Sequence, residues 1–350
     1  IWSGATGDSF ITTGNAASAP TGKYIDNFRA RVWIAGNSTY PDRAYYSSLP
    51  SAVTTPIVTW DTNVNTGNWI DVSPSDGENI TGIKRAKQAL LVFKNNHLYR
   101  IYSVNQTESD PTINVGTYSQ ESIIEAENGF YFHHPKGIYL YNEGVKRISQ
   151  PIQDFIDGVA LSQYSSVAGW QDGDHIYHEL GDVTVGGVTY QNVVSRYTIS
   201  SEAWTVYSYP TTFLCSSQYN DGSTLFQLTG DDGGSVLKMN VGITDNTTPI
   251  TYSLITRWYT LDGFYSTRKV ISKMNAMHTK MEGAKIEWQV GDDTINAWKP
   301  LFQIERELNH PQTVDIKGRK IRFRVSGVSS GEPGTFYGLE VMALSSEQFI

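Results

Sequence analysis

One cysteine in 350 residues, Cys215, excludes an intramolecular disulfide and any zinc site built on cysteines. Charge is scarce as well: Asp, Glu, Lys and Arg make up 18% of the chain, below the quarter usual for a soluble domain. No apolar run approaches the ~20 residues of a membrane-spanning helix, and the longest, Ala89 to Phe93, has the length of a buried strand. Neither a membrane span nor an anchor is expected. The sequence opens at Ile1 with no methionine and no charged-then-apolar leader, so no secretory signal is expected and an upstream piece is taken to be missing.

Catalytic strings are missing too. Neither a phosphate-cradling loop ending in Gly-Lys-Ser/Thr nor a Gly-x-Ser-x-Gly elbow occurs. The histidines lack metal-ligand spacing, and adjacent His133 and His134 would point to opposite faces of a strand instead of sharing a metal. The acidic pairs Asp172/Asp174, Asp231/Asp232 and Asp292/Asp293 hold two carboxylates each, as glycoside hydrolysis requires, and oxygen ligands of the kind calcium takes. Each pair sits in a Gly-rich turn, where Asp beside Gly needs no substrate to explain it. The chain is therefore expected to hold no catalytic residue, no metal and no cofactor, and is read as not an enzyme.

Aromatic residues are plentiful at 12%, and together with β-branched residues they fit a half-buried pleated face better than a helix. Paired apolar runs joined by polar turns recur at roughly the 40 to 50 residues of a propeller blade. Ala89–Phe93 and Leu98–Tyr102 flank the turn 94–97; Gly129–Phe132 and Ile138–Tyr141 flank His133 to Gly137. Asp174–His178 leads through Gly186-Gly187 into Val193–Tyr197 and Trp204–Tyr207, and Thr224–Leu228 with Val236–Met239 flanks 230–234. Ala30–Ile34 with Arg43–Ser47 forms an earlier unit, bringing the count to about five. Between Gln150 and Gln163, Ile152, Phe155, Ile156 and Val159 recur at helical spacing behind Pro151, which predicts one helix packed on the sheets.

Past Pro249 the strands lengthen. Arg268–Lys280, Lys285–Val290 and Thr313–Val325 alternate, with Ile286, Trp288 and Val290 on one face and Ile321, Phe323 and Val325 likewise. The expected fold is all-β: an N-terminal extension over 1–20, a β-propeller-like domain over 21–249 and a C-terminal β-sandwich over 250–350.

The run Trp69-Ile70-Asp71-Val72, Asp76-Gly77, Ile80-Thr81-Gly82 and Leu90–Lys94 to Leu98–Ile101 resembles a signature of bacteriophage tail hub and nozzle proteins. Arg31–Ile34 and Arg43–Ser47 before it, and Gly137–Tyr141, Val145–Ser149 and the Pro151 helix after it, follow the same order. That resemblance implies a subunit of the virion tail with a β-propeller, assembled as a homo-oligomeric ring, commonly a hexamer. The ring would extend the channel for genome ejection and support other tail proteins such as adaptor and fibres. A family member usually has a longer N-terminal part, so the propeller is expected to be incomplete here.

Charge bears on the DNA. Residues 1–250 carry 14 Lys+Arg against 24 Asp+Glu, a net of −10, while residues 251–350 carry 13 against 11, a net of +2. Gripping DNA needs cations to displace condensed counterions, so double-stranded DNA is expected to pass without specific binding. The basic set Lys317, Arg319, Lys320, Arg322 and Arg324 reads first as an exposed strand face and second as a contact for an acidic neighbouring subunit. The competing function is a carbohydrate- or receptor-binding module at the tail tip, with Tyr and Trp stacking on sugars.

Overall fold

The computed structural model describes residues 19–49, 60–61, 67–104, 114–239, 244–245, 248–260, 269–291, 297–304, 311–329 and 334–345. The expected N-terminal extension, apart from its last two residues, and the pair Asp292/Asp293 lie outside them. The chain divides into two compact units, residues 1–239 and 240–350.

Among the described residues the first unit holds five antiparallel sheets, each a meander made from one contiguous stretch. Sheet one is β1 (Tyr24–Phe28), β2 (Arg31–Ala35), β3 (Arg43–Tyr46) and β4 (Trp69–Asp71); sheet two is β5 (Ile80–Arg85), β6 (Leu90–Lys94) and β7 (Leu98–Ile101). Sheet three is β8 (Ile124–Ala126), β9 (Gly129–His134), β10 (Gly137–Asn142) and β11 (Gly144–Arg147). Sheet four is β12 (Gly169–Asp172), β13 (His175–Val185), β14 (Val188–Thr198) and β15 (Ala203–Ser208). Sheet five is β16 (Phe213–Asn220), β17 (Leu225–Asp231) and β18 (Val236–Lys238).

Four apolar seams join these sheets in chain order, and period-two alternation generates them. In β6, Leu90 and Val92 face Trp33, Ala44 and Ile70 of sheet one, while Leu91 and Phe93 face Phe130 and Phe132 of sheet three. A middle strand buried on both faces must be apolar throughout, which explains the run from Ala89 to Phe93. In β9, Tyr131 turns the other way, toward Ile176, Val193 and Tyr197 of sheet four. Tyr177 and Val194 then face Phe213 and Leu237 of sheet five. The first strands of neighbouring sheets also touch, β1 on β5, β8 on β12 and β12 on β16, as blades do around a propeller axis.

Gly186 and Gly187 form the two-residue turn of the β13–β14 hairpin with φ of 59° and 82°, the backbone that a mirror-image turn demands. Two local expectations of the first unit are corrected. His133 and His134 belong to β9, because its hairpin closes on Pro135-Lys136 alone, with His134 opposite Gly137. The expected helix shrinks to α1 (Gln153–Asp157) between two 3-10 segments. It ends there because Gly158 O accepts from Thr184 N and Val159 bridges to Val183, and a Cβ on Gly158 would stand 2.4 Å from Thr184 O. Its apolar stripe still packs inward, with Ile156 fully buried.

The second unit is a β-sandwich. A short pair, β19 (Thr244–Asp245) and β20 (Thr248–Pro249), precedes β21 (Thr251–Ile255), β22 (Lys269–Thr279), β23 (Lys285–Val290), β24 (Lys299–Gln303), β25 (Gln312–Gly318), β26 (Ile321–Val328) and β27 (Thr335–Ser345). One sheet runs β21-β26-β23-β24 and the other β25-β22-β27. Ile271, Met274 and Ile316 of the second sheet meet Ile286, Ile321, Phe323 and Val325 of the first in one core. Thr313–Val325, read as one alternating stretch, is two strands that switch sheets at Arg319-Lys320.

Candidate functional site: a lysine node and a histidine seam

Lys94 closes β6 opposite Ile80, and its side chain is wholly buried. Its ammonium donates to Asp42 Oδ1 at 2.7 Å, to both Asp76 oxygens at 2.8 Å and to Ser73 O at 3.1 Å. Tyr99 Oη donates to Asp76 Oδ2 at 3.2 Å. The loop after β4 is bent to reach it, with left-handed φ of 45° at Ser73 and 69° at Ser75. Burial alone would raise the Asp76 carboxyl, but the Lys94 ammonium, Glu78 N–H and Tyr99 hydroxyl outweigh it and hold it below the usual carboxylate range. Glu78 is lowered likewise: Asn96 and His97 overcome its desolvation, with His97 Nδ1 3.0 Å from Glu78 Oε2. Sheet one is thereby pinned to sheet two by charge as well as by apolar packing.

From Asn96 the polar thread crosses to sheet three, where His134 Nε2 lies 3.3 Å from Asn96 Oδ1. His133, next in line on β9, points away toward sheet four, its ring 5.6 Å from Tyr164 and 6.5 Å from His178 of β13. Thr117 Oγ1 donates to His133 O at 2.8 Å, and His178 Nε2 donates to Ser122 O at 3.1 Å, which fixes the neutral tautomer of His178. Neither His133 Nε2 nor His178 Nδ1 has a hydrogen-bond partner. Burial, reinforced by His178 and His134, pushes His133 down to about 3. Desolvation takes His178 to about 4 against the pull of the Ser122 carbonyl, and takes His134, beside Lys136, to about 4.

Glu179 follows His178 on the strand and so faces the opposite side, 2% exposed. Its Oε1 accepts from Gly181 N at 3.2 Å, and burial pushes the carboxyl up to about 8 against the pull of the Gly181 and Phe213 backbone N–H groups. At neutral pH the thread therefore holds a saturated ion cluster, three neutral imidazoles and a protonated carboxyl. All three ammonium protons of Lys94 are engaged, so it is equipped to hold sheets together and not to attack a substrate.

Of the two described acidic pairs, Asp172 closes β12 and Asp231 closes β17, while Asp174 and Asp232 sit in the turns that follow. Asp174 takes Ser200 N at 3.2 Å and the Ser200 hydroxyl, Asp231 takes Ser235 N at 2.6 Å, and Asp232 takes Thr211 Oγ1 at 2.9 Å. Among the described residues, no three His, Cys, Asp or Glu side chains gather as metal ligands would. In the second unit Arg322 and Arg324 share one face of β26. Arg324 pairs with Glu287 at 2.6 Å and Arg322 donates to Gln289 at 2.7 Å, both over the Trp298 ring, with Trp258 flanking Arg322. Lys317, on β25, lies 3.2 Å from Asp315 instead. Sequence reasoning took Lys94 for a turn residue and passed over Glu179. The available signal was an ionisable residue set directly against apolar residues of a middle strand.

No protein-family model matches this chain, and no curated protein sequence does. Among solved structures it is similar to a glycoside hydrolase, at 10% identity over 91% of this chain and 96% of that one, with a TM-score of 0.25. It is similar also to the extracellular domain of a one-component system protein from B. thetaiotaomicron, at 11% over 85% and 56%, TM-score 0.28. An exo-β-1,3-galactanase from Phanerochaete chrysosporium, solved with galactose, follows at 10% over 89% and 78%, TM-score 0.23. These neighbours overturn the expectation that the chain is not an enzyme, and that exclusion is withdrawn. The physical reason is that missing nucleotide and esterase strings exclude only their own chemistries. Carboxylates that cleave glycosidic bonds come from separated strands and leave no contiguous string. At TM-scores of 0.25 and 0.23 the likeness carries no argument for hydrolysis by this chain either.

Proposed function

We propose that this chain is a structural subunit of a bacteriophage tail, of hub or nozzle type, which forms a homo-oligomeric ring, a hexamer, and extends the DNA-ejection channel. One observation carries the reading: the residues of the resemblance fold as a single knot. Trp69–Asp71 is β4, Asp76 grips Lys94, Ile80 pairs with Lys94, and Leu98–Ile101 completes the hairpin. A run held together by long-range ion pairing is one that must be kept whole, and five meander sheets followed by a sandwich suit a load-bearing wall. The acidic balance of residues 1–250, 14 cations against 24 anions, favours a duplex that slides past instead of sticking.

Electron microscopy of the purified chain and of the virion tests this. Six copies in a ring at the tail, adjoining adaptor and fibres, is the expected result; a monomer in solution together with its absence from virions rejects it. The second reading, a carbohydrate-binding module at the tail tip, draws on the outer face of the sandwich, where Trp258 is 37% exposed beside Arg322. Glycan-array binding that is lost in Trp258→Ala would favour it.

A further inference from the structure

In the first unit, where the β1–β2 turn, the β5–β6 turn and β8 approach one another, lies an open pocket of about 510 Å³. Its walls are Phe28, Arg29, Arg85, Ala86, Lys87 and Glu125. Three cations face one carboxylate here, in a stretch of chain where acidic residues outnumber basic ones 24 to 14. They come from two different sheets, so no single strand's alternation accounts for their meeting.

The backbone supplies the second observation. Phe28 pairs with Arg31, which leaves Arg29 and Ala30 as a two-residue hairpin loop with φ of 51° and 56°. Such a turn ordinarily takes Asn-Gly, since a Cβ disfavours the left-handed conformation at both positions. Here the strained position carries an arginine, its guanidinium 5.4 Å from the Phe28 ring, on the pocket wall. Backbone strain of this kind persists where something other than local stability selects the residue. Arg85 is also held: its Nη1 donates to Asn27 Oδ1 at 3.0 Å and its backbone N–H to Asp26 Oδ2 at 2.7 Å.

The geometry points to a binding site for a small phosphorylated sugar or polyol, its phosphate held by Arg29, Arg85 and Lys87 and its hydroxyls by Glu125. Guanidinium forks match phosphate oxygens in pairs, and Lys87 adds a point charge. Glu125 accepts hydrogen bonds and repels a bare anion, so it favours a ligand whose charged end lies away from a hydroxyl-bearing body. Phe28 and Ala86 offer an apolar surface to the C–H face of such a body, and the volume suits a ligand of this size. The inference stands apart from the tail reading and survives its failure.

Calorimetric titration of the full chain with glucose 6-phosphate, inorganic phosphate and glucose tests it. Saturable binding of glucose 6-phosphate, weaker binding of phosphate and none of glucose is expected. Arg29→Asn, which suits the left-handed turn, should raise the melting temperature while weakening glucose 6-phosphate binding about tenfold. Lys87→Gln should weaken binding similarly without changing the melting temperature, and Glu125→Gln should narrow the preference for the sugar phosphate over phosphate. No saturation by either phosphate, equal binding of glucose, or unchanged affinity in both the Arg29→Asn and Lys87→Gln variants overturns the proposal.

Discussion

Between the first and second sheets a full positive charge lies buried with two carboxylates on it, whereas between the third and fourth sheets two histidines lie buried with none. Lys94 keeps its charge because Asp42 and Asp76 replace the water it lost. His133 and His178 give theirs up, because each seats a ring nitrogen where nothing answers it. The first seam is thus held by pairing and breaks when a partner is removed; the other is held by neutrality and breaks when a proton is added. Buried polarity has no single effect on stability, and its sign depends on which protonation state the fold selects.

Acid should separate the two seams most strongly. His133 and His178 are neutral when folded, with values of about 3 and about 4, while the unfolded chain takes up protons below the ordinary 6.5. Their contribution is therefore intact above 6.5 and is lost as pH falls toward 4, on the order of 5 kcal/mol for the pair. Denaturant titrations at pH 7, 5.5 and 4.5 check it; a His133→Gln/His178→Gln double variant should flatten the profile. Lys94→Met comes next, leaving two carboxylates facing an apolar stem, with an expected loss of about 3 kcal/mol at pH 7 in the same titrations. Equal stability in that variant would remove the contrast between the seams.

Glu179 reverses the acid dependence. Its folded value of about 8 lies above the unfolded 4.5, so its contribution is full below 4.5 and lost as pH rises through 8. Glu179→Gln should thus be more stable than the parent at pH 9, by about 4 to 5 kcal/mol in denaturant titrations, and the two should converge at pH 4.5. The exposed pair Lys146 and Glu202, 3.9 Å apart, is the control at the other extreme: Lys146→Ala should leave the melting temperature unchanged.

Strands were legible where alternation or a committed turn marked them. Gly186-Gly187 announced its hairpin, and Ile286, Ile321, Phe323 and Val325 lie in the sandwich core with Trp288 packed against it, as their spacing said. What stayed hidden depended on partners far along the chain. Lys94 meets Asp76 and Asp42 at separations of 18 and 52 residues, so beside Asn95-Asn96 it looked like a hairpin turn. His133-His134 before Pro135 looked like a loop, since nothing local says that Tyr164 and His178 cover His133 while Tyr118 and Tyr139 cover His134. The stripe Ile152 to Val159 was real, but periodicity could not show that Gly158 and Val159 are claimed by β13. The node and the seam together were the least visible of all, because hydrophobic pattern records burial and says nothing about charge.

Because every sheet of the first unit is finished within one uninterrupted stretch, its order of completion can follow the order of synthesis. As the ribosome delivers Leu90 to Phe93, a ready wall of Trp33 and Ala44 awaits one side of that strand, and the other side stays bare until Phe130 and Phe132 emerge. Each newly made sheet thus serves as a template for its successor, and premature truncation would leave one naked apolar surface at the growing end, a ready target for chaperones or for aggregation.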